Sequence, residues 1–269
     1  MANIIGIMGE SGSGKTTSMR NLDPKTTYYI DCDKKGLSWR GWKKQYNAEA
    51  KNYYCTDQQA NVLKIMQGIN TDRPHIKTIV IDTLNGIMIA DEMRRSKEKT
   101  YDKWMDLAVA VYGIIDYALT MRDDLTVVFV CHSQTDRDDN GYMFTSIKTN
   151  GKKLSKIGLE TKFPIVLLAK CVDGQYIFET QANFSTAKSP MGLFSEKTIP
   201  NDIAAVIVAC ASVYQRQLLF AIFVLLDSLN HGCNIIGDGL FAEQTHRGFC
   251  CAEIGLRFKN VLPVNAFSE

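Results

Sequence analysis

The sequence predicts an α/β protein built on a mostly parallel sheet flanked by helices. Three observations carry that expectation. Apolar runs of strand length alternate with segments of helical periodicity from the first residues to Thr180. Two of the runs, Ile79-Val80-Ile81 and Val127-Val128-Phe129-Val130, are unbroken by polar residues, as strands buried on both faces require. Finally, the first strand passes directly into a glycine-rich turn followed by a helix-competent stretch.

Taken in order, strands are expected at residues 4–8, 27–30, 78–81, 125–131 and 165–170, and at 175–180 after an Asp173-Gly174 turn. Crossover helices are expected at 58–68, 83–93 and 102–121. In the last, Trp104, Leu107, Val111, Ile114, Ile115 and Ala118 recur at helical spacing and read as core. Residues 1–202 are expected to form one domain. Residues 203–269 form a hydrophobic extension of unassigned structure.

With 269 residues the chain has room for one large domain or one domain with an appendage. It is 45% hydrophobic and 22% charged, an ordinary soluble composition. A net charge of +2 excludes a global basic field, so any nucleic-acid contact has to come from local patches. Eight cysteines lack C-x-x-C spacing and read as reduced thiols in a cytoplasmic compartment. The chain enters a strand at once, leaving no room for a signal peptide in the expectation.

The chemistry begins at Gly9-Glu10-Ser11-Gly12-Ser13-Gly14-Lys15-Thr16-Thr17, which fits the phosphate-loop pattern G-x-x-x-x-G-K-[ST] without a mismatch. Glycines let successive N–H groups converge into an anion nest, and a helix expected from Lys15 onward adds its positive end. Lys15 is placed to reach the β- and γ-phosphates of ATP, and Thr16 to ligate Mg²⁺. The strand Thr78-Ile79-Val80-Ile81 ends in Asp82, an acid at the rim where a second Mg²⁺-holding residue is needed. Two more acids, Asp31 and Asp33, end the second strand; hydrolysis requires one carboxylate to position water.

These segments resemble the RecA-like P-loop ATPases with an AAA/RecA core, and most nearly the phage-encoded proteins of the single-strand annealing and recombination type. Ile30-Asp31-Cys32-Asp33 is similar to their I-D-A-E segment, and 78–84 to V-V-D-S. The stretch 127–134 resembles the strand that senses the γ-phosphate. Asn150-Gly151-Lys152-Lys153-Leu154-Ser155-Lys156 resembles the segment after a DNA-binding loop. The resemblance runs from Met1 to about Asp202. It implies that Asp33 positions the attacking water; the chain departs from the family in that this acid is one methylene shorter than the glutamate, and slow hydrolysis or none is expected. It makes His132, with Gln134, the phosphate sensor, and Lys188 a cation donated to a neighbouring subunit's nucleotide.

It further implies single-stranded DNA, a homo-oligomer in ring or filament form, and a phage single-stranded-DNA-binding protein as partners. Residues 135–149 read from composition as either a solvated hairpin with an Asn-Gly turn or a DNA loop. In the second reading Tyr142 and Phe144 stack while Lys148, Lys152, Lys153 and Lys156 meet phosphates; Asp136, Asp138 and Asp139 oppose it. Two other functions remain open: a nucleotide kinase, for which Arg94-Arg95 and Arg122 make a sparse lid, and a non-catalytic nucleotide-gated assembly factor. In the tail, Gln215-Arg216-Gln217 interrupts the apolar run and argues against a membrane span. His231, Cys233, His246, Cys250 and Cys251 do not match a standard zinc spacing.

Overall fold

The computed structural model describes residues 1–100, 102–137, 141–150, 154, 156 and 158–212. Its strands are β1 (Asn3–Gly9), β2 (Thr27–Asp31), β3 (Tyr53–Cys55), β4 (Thr78–Asp82), β5 (Thr126–Arg137), β6 (Met143–Ile147), β7 (Ile165–Val172), β8 (Gln175–Glu179) and β9 (Thr198–Pro200). The helices are α1 (Trp42–Gln45), α2 (Gln59–Asp72), α3 (Leu84–Arg94) and α4 (Asp102–Thr120).

The sheet runs β3-β2-β4-β5-β1-β7-β8-β9, with β6 paired to β5 off this path. From β3 to β7 every neighbouring pair is parallel; β8, β9 and β6 join antiparallel. The mostly parallel α/β architecture is therefore as the alternating runs predict. Because β5 stands between β1 and β4, the carboxyl ends of β1, β2, β4 and β5 share one rim. Gly9 is in register with His132, Asp31 with Asp82, and Asp82 with Val130. Ligands of open parallel sheets bind at that rim.

Alternation along each strand fills two cores. Ile4, Met8, Ile79, Ile81, Val127 and Phe129 face α2, α3 and α4. Ile5, Ile7, Tyr29, Val80, Val128 and Val130 face the opposite layer, which includes Met19 and Leu22. A strand buried on both sides has no position left for a polar residue, which explains the unbroken runs. Leu107, Val111, Ile114, Ile115 and Ala118 of α4 are all buried, and Trp104 packs against them.

Three differences from expectation have local causes. The helix expected after the phosphate loop is only a 3-10 turn, Thr17–Met19. β-branched Thr16 and Thr17 begin it, and Asp23-Pro24 follows too soon for it to grow. Second, β5 continues six residues past the expected end, to Arg137, because β6 supplies a ladder partner there. The stretch around it is thus a hairpin. Third, residues 203–212 are helical, and Ile203, Val206 and Cys210 are buried in the second core. The described start of the predicted extension therefore packs with the domain, whose compact unit is Met1–Gln215. The expectations for residues 213–269, including His231, Cys233, His246, Cys250 and Cys251, lie outside the described residues. No described helix is long and apolar enough to cross a membrane.

Candidate nucleotide and metal site

The phosphate loop leaves β1 at Gly9 and turns through Gly12 at φ +81° and Gly14 at φ +86°. L side chains rarely adopt those angles, so glycine is required at both positions. Gly9 is required for space, because an added Cβ would lie 2.5 Å from Ser13 Oγ and 2.7 Å from the Ala169 carbonyl. Lys15 folds back over the loop, its ammonium donating to the carbonyls of Gly9 at 2.9 Å and Glu10 at 2.6 Å. Burial holds its pKa below the ordinary lysine value. Glu10, Ser11 and Gly12 are exposed on the loop's outer side, while Ser13 and Thr16 are buried beneath it.

Across the rim, Thr16 Oγ1 donates to Asp82 Oδ2 at 2.8 Å, and the Tyr29 hydroxyl donates to the same oxygen at 2.5 Å. Asp82 is 2% exposed, and its other oxygen, Oδ1, has no partner. A buried carboxylate oxygen without a donor is costly unless something neutralises it. A hydroxyl and a carboxylate are hard oxygen donors, so the pair fits Mg²⁺. When bound, that ion would neutralise charge on the phosphates. Burial raises the Asp82 pKa, opposed by the Tyr29 and Thr16 hydroxyls. The Asp82–Thr83 peptide is cis.

The two acids at and beyond the end of β2 separate cleanly. Asp31 is a scaffold: Oδ1 accepts the Lys34 N–H, and Oδ2 accepts the Gly36 N–H and the Tyr53 hydroxyl. Asp33 does not itself line the cavity over the loop but is tied to Lys35, which does: Oδ1 accepts the Thr83 hydroxyl at 2.7 Å and Oδ2 the Lys35 ammonium at 2.5 Å. Burial by itself would raise the Asp33 pKa. The Lys35 ammonium and the Thr83 hydroxyl outweigh it and hold the carboxyl below the usual aspartate range. Thr83 also caps α3, accepting the Gly86 N–H at 3.0 Å.

A cavity of about 510 Å³ lies over the loop, lined by Lys15, Thr16 and Thr17 and closed by Lys35, His132 and Tyr176. His132 is therefore brought to the cavity over the loop. Desolvation and the Lys15 ammonium lower its pKa, leaving a neutral imidazole at pH 7. Gln134 is not part of that lining; its amide donates to Asp136 at 2.8 Å. Lys188 is also away from the cavity within one chain. It is exposed, and its backbone exchanges hydrogen bonds with Val166 of β7 at 2.8 and 2.9 Å.

Sequence reading missed several residues here. Asn85 accepts the His132 N–H at 2.7 Å and donates to the Lys148 carbonyl at 2.8 Å, so α3 is stapled to β5 and to the end of the hairpin. Only the position of Asn85, three residues beyond an acidic strand end, could have pointed to it. Tyr176 lies on the loop: a Cβ on Gly14 would come within 2.7 Å of its ring. Asn201 sits beside it, 5% exposed, with Oδ1 near Gly14 and an unpartnered Nδ2. Tyr176 comes from β8 and Asn201 directly follows β9; both are remote in sequence and carry no motif.

No curated protein matches the chain. The AAA domain family model matches residues 1–190, a span that includes the loop, both strand-end acids, His132 and Lys188. With the loop, the buried Thr16–Asp82 pair and this match in hand, the chain belongs to the AAA domain family, as a P-loop nucleotide-binding ATPase.

Proposed function

We propose that the protein is a phage-encoded, RecA-like, Mg²⁺-dependent ATPase that acts on single-stranded DNA in recombination, annealing or replication, in the host cytoplasm. Slow turnover is part of the reading, because Asp33 is short and engaged by Lys35. Gly9–Thr17 would hold the triphosphate, Thr16 and Asp82 the metal. Asp33, once Lys35 turns to the phosphates, would accept a proton from the attacking water.

One observation supports the DNA reading most directly. β5 runs without a break from Val130, beside Asp82, through His132 in the phosphate cavity and into the hairpin. That hairpin exposes Tyr142, Met143 and Phe144, and the Tyr142 ring stacks on the exposed Phe184 at 6.2 Å. Aromatic faces at the far end of a phosphate-sensing strand suit bases in a single strand. Lys152 and Lys153 lie outside the described residues. In the same reading the protein assembles as a ring or filament in which Lys188 reaches a neighbour's nucleotide, and it cooperates with a phage single-stranded-DNA-binding protein.

ATP turnover with and without single-stranded DNA tests the proposal. Stimulation supports it. Turnover only with a nucleoside monophosphate acceptor would make the protein a kinase, and nucleotide binding without turnover an assembly factor.

A further inference from the structure

One strongly basic surface takes no part in the nucleotide chemistry. It follows the β3 edge of the sheet, where two cavities of about 670 and 520 Å³ share Lys51 and Arg73. Lys25 and Lys44 add charge to the first, which His75 also lines, and Lys64 and Tyr54 line the second. Among the described residues no carboxylate lines either cavity. Among the described residues none of the five cations Lys25, Lys44, Lys51, Lys64 and Arg73 has a carboxylate within 4.0 Å, whereas Lys34, Lys77 and Lys170 are each ion-paired. The nearby Asp23 is turned into its own loop, accepting the Lys25 N–H at 3.0 Å. Glu49 and Asp72 are exposed but line neither cavity.

For a chain of net charge +2, this is a local concentration of unneutralised cations. Its centre is held in place. Arg73 donates to the Lys51 carbonyl at 3.0 Å and lies 5.4 Å over the Tyr28 ring. Beside it, β3 pairs with β2 alone, and Tyr54 is 46% exposed on that edge. A small anion would need one or two of these cations. A line of them flanked by an open aromatic face matches a polyanion carrying stackable bases. By contrast, the described part of the β5–β6 hairpin offers Arg137 and Lys148 and places Asp136 among them.

We infer that this groove is a backbone-tracking contact for single-stranded DNA, with the lysines on phosphates and Tyr54 against a base. The inference rests on the proposed DNA function and moves its electrostatic contact from the hairpin to the β3 edge. The groove also adjoins the nucleotide site. Tyr53 lines the second cavity and donates its hydroxyl to Asp31 at 2.8 Å, and Asp31 holds the turn that carries Asp33 and Lys35.

The test is fluorescence anisotropy of a labelled oligo-dT against the full chain across a salt series. The triple variant Lys25→Glu/Lys44→Glu/Lys64→Glu changes exposed side chains outside the catalytic machinery, so DNA-free ATP turnover and melting temperature serve as controls for folding. Binding is expected to weaken about tenfold or more, and the slope of log affinity against log salt to flatten by about 2, at ~0.7 per lost cation. Arginine at the same three positions should preserve binding, and Tyr54→Ala should weaken it without changing the slope. A glutamate triple that binds like wild type overturns the groove alone. Wild-type protein that ignores the oligonucleotide overturns the DNA reading and the groove together. Displacement of oligo-dT by polyglutamate of equal charge, as readily as by unlabelled oligo-dT, overturns the assignment to nucleic acid.

Discussion

Thr16 and Asp82, separated by 66 residues, are joined by a 2.8 Å hydrogen bond from Oγ1 to Oδ2. The phosphate loop and the acidic end of β4 thus meet through a pair of hard oxygen donor groups. The carboxylate oxygen left over, Oδ1, is buried without a donor. Burial raises the pKa of Asp82. A carboxyl raised in the folded state contributes stability below its unfolded pKa and loses it as pH rises through the folded value. At pH 7, above the unfolded pKa, the raised carboxyl therefore costs the nucleotide-free protein stability. Asp82→Asn is expected to melt at a higher temperature without ligand. It should then gain nothing from ATP with Mg²⁺, where wild type gains about 2.7 kcal/mol at ligand 100-fold above Kd. Calorimetry with and without ATP–Mg²⁺ reads both effects; equal stabilisation of the two proteins contradicts the metal assignment.

Asp33 is positioned from both sides, by the Thr83 hydroxyl and by the absence of a side chain at Gly86. A Cβ on Gly86 would lie 2.6 Å from Asp33 Oδ1 and 2.6 Å from the Cys32 carbonyl. Gly86→Ala should displace the acid and lower turnover while leaving ATP affinity intact. Asp33→Asn should reduce turnover by roughly 10²–10⁴ with the same retention of binding. Single-turnover kinetics alongside equilibrium nucleotide binding separates the two quantities. Full activity in Asp33→Asn would remove the acid from the mechanism.

How much of this was legible in the sequence follows from how local each feature is. Lys15, Thr16 and Asp82 belong to short patterns in which a few neighbouring residues determine both backbone and chemistry, and the structure brings all three together. Asp31 and Asp33 could not be told apart from composition, since both end the same strand. Only the pairing of Asp31 with Tyr53 and the Gly36 N–H makes it the scaffold. Tyr176 and Asn201 reach the loop through antiparallel strands added at the far edge of the sheet, and no spacing encodes that approach. β3 was missed because three residues, Tyr53–Cys55, are too short to show a period.

Tyr176 stands at the wall of the phosphate cavity with its ring against Gly14, 51% exposed and thus open to a ligand. A nucleobase extending from the cradle can stack on that face. Tyr176→Ala is expected to weaken ATP binding by about 1–3 kcal/mol, the usual value of one base–aromatic stack. Inorganic triphosphate, which has no base, should bind both proteins alike. Titration calorimetry with the two ligands decides it, and an equal loss for both would place the effect in the loop instead.

Lys35 governs the pH at which Asp33 can work. In wild type the ammonium and the Thr83 hydroxyl keep the Asp33 carboxyl ionised below the ordinary aspartate range, and His132 stays neutral until below the ordinary imidazole range. The acid limb of kcat/KM reports an essential base in the free enzyme, so its midpoint in wild type is expected below ordinary aspartate values. Removing the ammonium leaves burial as the dominant influence on Asp33, and burial raises a carboxyl. The limb in Lys35→Ala should therefore move to higher pH, whereas Lys35→Arg should keep it in place. His132→Asn should raise the midpoint by less than Lys35→Ala does, because the imidazole charge also lowers the Asp33 carboxyl but less than the Lys35 ammonium. A Lys35→Ala profile superimposable on wild type would show that the observed limb belongs to a group other than Asp33.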